Sequence, residues 1–306
     1  MVLATGGTIA GAASTAHGNL GYTAAQIGID ELLAGVPALQ GVERVTEQVS
    51  QIDSKDMSFG VWRTLALRCA HWLARPDVAG LVVTHGTDTA EETAFFLQHV
   101  LAPAKPVVIA CAMRPATALS PDGPQNLVDA LAVAASDGAR GVVLVCAGVI
   151  HSALDVSKQH TFRVDPFVSG DAGPVGYVEE GQLRLAREWP VSAVLAIPQA
   201  LAEDGAWPRV EIVMSHAGAE GRWVRALVKE GIDGLVVAAT GNGMMHRDLE
   251  AALLEAQSRG VIVVRATRCT QGRVIGLPGD TLPVAASASP AKARIALMLE
   301  LMGAPG

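Results

Sequence analysis

Gly80-Leu-Val-Val-Thr-His-Gly-Thr-Asp-Thr-Ala-Glu-Glu-Thr-Ala-Phe-Phe-Leu-Gln-His-Val100 carries the reading that decides the fold. An apolar, β-branched run (Gly80–Thr84) meets a small polar segment, and from Ala90 the apolar residues recur at helical spacing. Asp88 or Thr89 suits a helix cap, and Glu91 with Glu92 complements the positive end of the helix dipole. Strand, loop and helix follow one another within 21 residues. The same succession recurs outward. Strands are predicted at Val2–Ala4, Pro106–Ala110, Gly141–Ala147, Val210–Met214, Gly234–Ala238 and Val261–Ala266. Helices are predicted at Ser58–Leu73, Gln125–Asp137, Glu220–Gly231, Arg247–Gly260 and Pro290–Leu301. The strand runs are continuously apolar, as expected when helices cover both faces of a sheet. Alternation of this kind gives parallel strands with right-handed crossovers. The expected fold class is α/β.

Between Leu185 and Trp207 the pattern lapses into Trp-Pro and Ile-Pro pairs among mixed polar residues. Residues 1–186 are therefore expected to form a larger N-terminal domain, a mostly parallel doubly wound sheet ending in a hairpin at Pro174–Leu185. Residues 187–208 read as a linker, and 209–306 as a smaller, flavodoxin-like βαβαβ domain. The chain has 306 residues, a net charge of −7, half its residues apolar and 17% charged. That composition excludes a disordered chain and leaves no basic excess for a nucleic acid. A chain of this length buries about three quarters of its unfolded surface. The first Lys or Arg is Arg44, so a signal peptide with a basic leading segment is not expected. No apolar run approaches the roughly 18 residues of a membrane span. Cys69, Cys111, Cys146 and Cys269 are scattered, without a CxxC pair, and read as thiols in a reducing compartment. These features predict a soluble cytoplasmic protein with no nucleic-acid or membrane partner. Only four residues precede Thr5, which predicts either a short first strand or a start further upstream.

Ligands of open parallel sheets bind outside the carboxyl ends of strands, so the strand-to-helix loops are where chemistry is expected. Thr5-Gly-Gly-Thr-Ile-Ala-Gly11 follows the first strand. Its glycines allow a sharp turn and close approach, and leave the Thr8 hydroxyl uncovered. Neither GxGxxG nor GK[ST] spacing is present, which weakens a nucleotide-binding reading. The second loop, Thr84–Thr89, puts threonine beside glycine again and adds the carboxylate of Asp88. A free amino acid is a zwitterion. Its carboxylate wants hydroxyls and N–H groups and its ammonium wants an Asp, and the two loops offer both along with a hydroxyl nucleophile. His17, His151, His160, His216 and His246 show no metal-ligand spacing, so no metal is expected. His85 reads either as a neighbour that positions backbone or as a base.

Leu3–Gly11 and Val83–Thr93 resemble the two signature segments of the bacterial asparaginase/glutaminase family of the threonine-nucleophile type. The likeness continues in collinear order through Asp53-Ser-Lys-Asp-Met57, Ala112-Met-Arg-Pro115, Asp122-Gly-Pro124 with Asn126, Asp155-Val-Ser-Lys158 and Gly241-Asn-Gly243. It implies an L-asparaginase without organic cofactor, releasing aspartate and ammonia through an acyl-threonine, with L-glutamine as a second substrate. By the resemblance Thr8 is the nucleophile, assisted by Tyr22 at the end of a Gly11–Gly21 lid. Tyr22 packing against a helix that begins at Thr23 is the structural alternative. Thr87, Asp88 and Lys158 match the second catalytic set, and which threonine acts first stays open. Asp88 is expected to hold the substrate ammonium and Ser54 its α-carboxylate. Lys55 stands where several relatives carry a glutamine or acid that touches the substrate. It would repel an ammonium unless it points away or pairs with Asp56. The resemblance further implies a homotetramer in which the C-terminal domain serves a neighbouring subunit's site, with Asn242 the better candidate for that contact and Asp280 the one acid in Cys269–Pro283. A silent amino-acid sensor, or the amidase subunit of a tRNA-dependent amidotransferase, is the competing reading.

Overall fold

The computed structural model describes residues 1–13, 21–198, 201, 207–287 and 289–303. Contacts divide the chain into two units, Met1–Gln199 and Ala200–Gly306.

The first unit opens with β1 (Val2–Gly6), the short ribbon strands β2 (Ala12–Ala13) and β3 (Tyr22–Thr23), α1 (Ile29–Ala34) and β4 (Thr46–Ile52). Then follow α2 (Phe59–Leu73), β5 (Leu81–Thr84), α3 (Ala90–Leu101), β6 (Pro106–Ala110), α4 (Gly123–Ala134) and β7 (Gly141–Cys146). The remainder holds β8 (Val149–Ser152), β9 (Ser157–Lys158), β10 (Phe167–Val168) and the hairpin β11 (Gly176–Glu179) and β12 (Gln182–Leu185). Eight strands make one sheet in the order β12-β11-β8-β7-β6-β5-β1-β4. The run from β4 to β7 is parallel, and β8, β11 and β12 extend it antiparallel.

Every residue of β1, β5, β6 and β7 is buried, which is why these segments read as unbroken apolar runs. On one face, Val2, Ala4, Val82, Val108 and Val143 pack with Ile29, Leu32 and Leu33 of α1 and Leu127, Ala130 and Val133 of α4. The alternate residues Leu3, Leu81, Val83, Ile109 and Leu144 are equally buried and face α2 and α3, which pack against one another and against β4, β5 and β7. Burying each such side chain contributes about 1.5–3 kcal/mol. α2 is capped by Ser58, whose Oγ accepts the Val61 N–H at 3.3 Å. The helices α2 to α7 lie close to where they were expected, whereas the short α1 was not expected. The strand β4, with sequence Thr-Glu-Gln-Val-Ser-Gln-Ile, was not either: it is the sheet's edge and only half-buried, so its polar residues hide it from a search for apolar runs.

The second unit carries β13 (Val210–Met214), α5 (Arg222–Lys229), β14 (Gly234–Ala239), α6 (Arg247–Ser258), β15 (Ile262–Thr267) and α7 (Pro290–Gly303). Its three parallel strands lie in the order β13-β14-β15, the βαβαβ arrangement expected. α5 and α6 pack on Leu235, Val237, Ala239 and Val263 through Val224, Leu249 and Leu253, and α7 packs against all three strands. No helix among the described residues is long and apolar enough to cross a membrane. Cys69, Cys111 and Cys146 are buried free thiols and Cys269 is an exposed one.

Candidate active site

Adjacent parallel strands deliver the two threonine loops. β1 pairs with β5 so that Ala4 stands opposite Thr84, and the Thr5 hydroxyl donates to Thr84 O at 2.8 Å just beyond. Gly6 and Gly7 then take positive φ, +102° and +84°, a conformation that L side chains rarely hold. The turn lays Gly7 directly on the second loop: a Cβ on Gly7 would fall 2.2 Å from Gly86 N and 2.4 Å from Gly86 Cα. Gly86 is pressed by Ser54 as well, whose Oγ would lie 2.4 Å from a Cβ there. Three loops therefore meet at one glycine.

Around this contact stand the expected polar groups. Thr8 Oγ1 and Tyr22 Oη are 2.7 Å apart. Tyr22 belongs to β3, paired with β2 so that Ala13 faces Tyr22, and no helix begins at Thr23. The body of the expected lid, residues 14–20 with His17, lies outside the described residues, as do 199, 200 and 202–206 of the expected linker. Lys158 on β9 donates from Nζ to Thr87 Oγ1 at 2.9 Å and to Asp88 Oδ1 at 2.6 Å. Thr8, Thr87 and Ser54 are buried, whereas the Asp88 side chain is 54% exposed and free to take a further cationic partner. Ser54 Oγ accepts the Asp88 N–H at 3.2 Å, and Ser54 O accepts the Thr89 hydroxyl at 2.7 Å.

Several motif residues turn out to hold the scaffold. Asn126 spans two strand ends: its Nδ2 donates to Cys111 O at 2.8 Å and its Oδ1 accepts the Ala147 N–H at 2.9 Å. Asp122 accepts the Met113 and Arg114 N–H groups at 2.9 Å each. Asp155 pairs with Arg187. Glu91, read from sequence only as complementing a helix dipole, accepts the Lys158 backbone N–H at 2.6 Å and so fixes where that lysine starts. Only the fold, which brings β9 to the start of α3, reveals this.

Lys55 points away. Its Nζ lies 2.5 Å from Asp53 and 3.5 Å from Asp56, and the Asp53 hydrogen bond raises its pKa. Asp53 is the nearer partner; the sequence reading had named only Asp56. His85 is fully buried, and burial lowers its pKa to about 4.

In the second unit Asn242 bonds Ile275 both ways, donating to its O at 3.1 Å and accepting its N–H at 2.7 Å. Asp280 is held by Arg265 and by the Leu277 N–H. Both side chains therefore have partners inside their own unit.

These features define an α/β protein with paired threonine loops at neighbouring strand ends and a separate three-stranded α/β unit. Residues 1–191 match the family described as asparaginase, N-terminal, and residues 209–303 match the glutaminase/asparaginase C-terminal domain. The chain belongs to the asparaginase family. It is 37% identical to L-asparaginase 2 of Escherichia coli over 308 residues, covering 98% of this chain and 88% of that one. To the glutaminase-asparaginase of Pseudomonas fluorescens it is 38% identical over 320 residues, covering 98% and 85%. Among solved structures it resembles a probable cytoplasmic L-asparaginase from Campylobacter jejuni, with a TM-score of 0.90, 35% identity, and 99% and 94% of the two chains covered.

Proposed function

We propose that the protein is an amidohydrolase converting L-asparagine to L-aspartate and ammonia, with L-glutamine as a second substrate. The observation that carries the reading is the pairing of each loop threonine with its own polar partner, Thr8 with Tyr22 and Thr87 with Lys158. The names of the Escherichia coli and Pseudomonas relatives support the two substrates.

In this reading Thr8 Oγ attacks the side-chain amide carbon while its proton leaves toward Tyr22 Oη. Threonine needs such help because its hydroxyl is a poor nucleophile on its own. The tetrahedral intermediate collapses by breaking the C–N bond, the nitrogen takes a proton and departs as ammonia, and an acyl ester remains on Thr8. Water then attacks the ester carbonyl, one of its protons returns to Thr8 Oγ, and aspartate is released. Thr87 and Lys158 orient that water or the developing oxyanion and relay protons. The α-ammonium pairs with Asp88, and the α-carboxylate takes the Ser54 hydroxyl, which accepts from Asp88 N and keeps its own proton to donate.

A homotetramer, with the loops around Asn242 serving a neighbouring site, is part of the proposal. Exposed Met244, Ile275 and Leu277 beside Asn242 support it, since apolar groups of this size grouped at a surface mark contact regions. The cytoplasm is the proposed compartment, supported by the free thiols. Ammonia release from L-asparagine and L-glutamine by wild type, Thr8→Ala and Thr87→Ala tests the activity, with light scattering reporting the assembly. Asparagine hydrolysis lost in both variants is the expected result. A wild-type tetramer that releases no ammonia from either amide would overturn the proposal.

A further inference from the structure

Resting on that reading, we infer that His85 is a positioning residue: a one-way hydrogen-bond chain through its neutral ring clamps the Gly86 carbonyl and thereby fixes the contact between the two threonine loops. The chain has four members, Trp62, Thr93, His85 and Gly86. Trp62 Nε1 donates to Thr93 Oγ1 at 2.9 Å, Thr93 Oγ1 lies 2.9 Å from His85 Nε2, and His85 Nδ1 lies 2.7 Å from Gly86 O.

Every proton in this chain is forced. The Gly86 carbonyl only accepts, so Nδ1 must carry a hydrogen. In the neutral ring Nε2 is then bare and must accept, so the single Thr93 hydroxyl proton points at it. The indole N–H, which only donates, fills the remaining place on Thr93 Oγ1. The opposite tautomer would set the Nδ1 lone pair against the carbonyl oxygen at 2.7 Å. A protonated ring is disfavoured by burial. Trp62 itself is held by stacking on Phe96 at 4.7 Å between ring centroids, so the chain starts from a rigid anchor between α2 and α3. His85 is held on its backbone side too, its N–H donating to Ala110 O at 2.9 Å.

The clamped carbonyl matters because of what Gly86 touches. Gly7 and Ser54 both lie against Gly86. Thr87 and Asp88 follow Gly86 directly, so rotation of the Gly86 peptide would shift the Thr8 turn, the Ser54 hydroxyl and the Thr87–Lys158 pair together. The imidazole acts as no acid or base in the reaction; it sets geometry through Gly86.

Two amide isosteres separate the ends of the ring. His85→Asn puts an N–H where Nδ1 stands and keeps the Gly86 bond while losing Thr93. His85→Gln reaches the Nε2 position and keeps Thr93 while losing Gly86. Both leave one end unpaired and are expected to lower Tm alike. The inference expects His85→Asn to keep kcat on L-asparagine within about 5-fold, and His85→Gln to lose about 10²-fold in kcat, the scale of a 1 Å misplacement, with KM changing far less. Equal kcat in the two variants, or a better Gln than Asn, overturns it. Should neither variant fold, 15N spectra of histidine-labelled wild type decide: a protonated Nδ1 and bare Nε2 for His85 at neutral pH are expected, and the reverse tautomer overturns the chain. A wild type without asparaginase activity would sink the functional reading, while the tautomer would still be read.

Discussion

Gly86→Ala is the sharpest perturbation of this site, because the glycine is crowded by both Ser54 and Gly7 and its cost is steric alone. Its φ lies outside the left-handed region, so alanine meets no backbone strain. The added Cβ would sit 2.4 Å from Ser54 Oγ, 2.8 Å from Ser54 Cβ and 3.1 Å from Gly7 Cα, against 3.4 Å for ordinary contact. Rotation of the Ser54 hydroxyl relieves the first clash and leaves the second, since Cβ moves only with backbone. That backbone is tied: Ser54 O accepts the Thr89 hydroxyl at 2.7 Å, and Ser54 Oγ accepts the Asp88 N–H at 3.2 Å. Retreat toward Gly7 is blocked as well. The loops must separate by roughly 0.5–1 Å, which as overpacking costs about 1–3 kcal/mol of stability. As a misplacement of reacting groups it costs about 10²-fold in kcat/KM, near 2.7 kcal/mol of barrier. Ammonia release from L-asparagine and a thermal melt measure the two. Gly60→Ala is the control, because its Cβ would meet only Ser58 Oγ at 3.9 Å. A Gly86→Ala enzyme with the kcat/KM and Tm of that control would refute the interlocked-loop argument.

Lys158→Met should lower kcat on asparagine by about 10²–10⁴-fold, the range of a lost proton-transfer group. It should leave the melt nearly unchanged, since Asp88 is half-exposed and is not left as a buried charge; a Tm loss matching the activity loss would argue against the role. Asn126→Ala strips partners from the buried Cys111 O and the more exposed Ala147 N–H and should cost about 1–3 kcal/mol, chiefly for the buried carbonyl left unpaired. Denaturant unfolding with an unchanged midpoint would contradict this. His85 ties stability to pH. Its folded pKa is near 4 against the ordinary 6.5, so the unfolded chain binds the proton first as acid is added. Its stabilisation is therefore complete above pH 6.5, declines as pH falls toward 4, and amounts to something on the order of 3 kcal/mol. The wild-type advantage over His85→Asn in unfolding free energy should shrink across that window; a pH-independent difference would contradict the shift.

The order of strands and helices was legible because β1, β5, β6 and β7 of the large sheet and β14 of the second unit bury every residue they carry, and apolar runs leave a mark in sequence. β4 escaped because it is an edge strand, exposed enough to carry Glu47, Gln48 and Gln51. The two threonine loops were legible too, since glycine beside threonine at strand ends is a local pattern, whereas Tyr22, Ser54 and Lys158 came only from the family resemblance. Their partners were not legible. Whether Lys55 repels a substrate ammonium depends on Asp53 and on where a one-turn helix at Ser54–Asp56 aims the side chain, which no spacing rule supplies.

His85 shows where local reading stops. In sequence it is one polar residue among small ones, and its helix partner Thr93 sits eight residues on, at a spacing with no meaning for a loop-to-helix segment. Trp62 lies 31 residues before Thr93 on a helix whose amphipathic pattern explains it as packing. Only when α2 and α3 cover the same face of the sheet do an indole N–H, a hydroxyl and an imidazole line up. The direction of the chain then follows from counting protons, with no reference to conservation or to chemistry at the site. A buried polar chain of this kind is stabilising only if every member is satisfied, so it has one arrangement, and that single arrangement fixes the peptide on which Gly7 and Ser54 rest. Rigidity in the loop thus originates some distance from the reacting hydroxyls. Substitutions at Trp62 or Thr93, which touch no substrate in this reading and leave the His85–Gly86 bond in place, should therefore lower Tm as His85→Asn does while keeping kcat within about 5-fold.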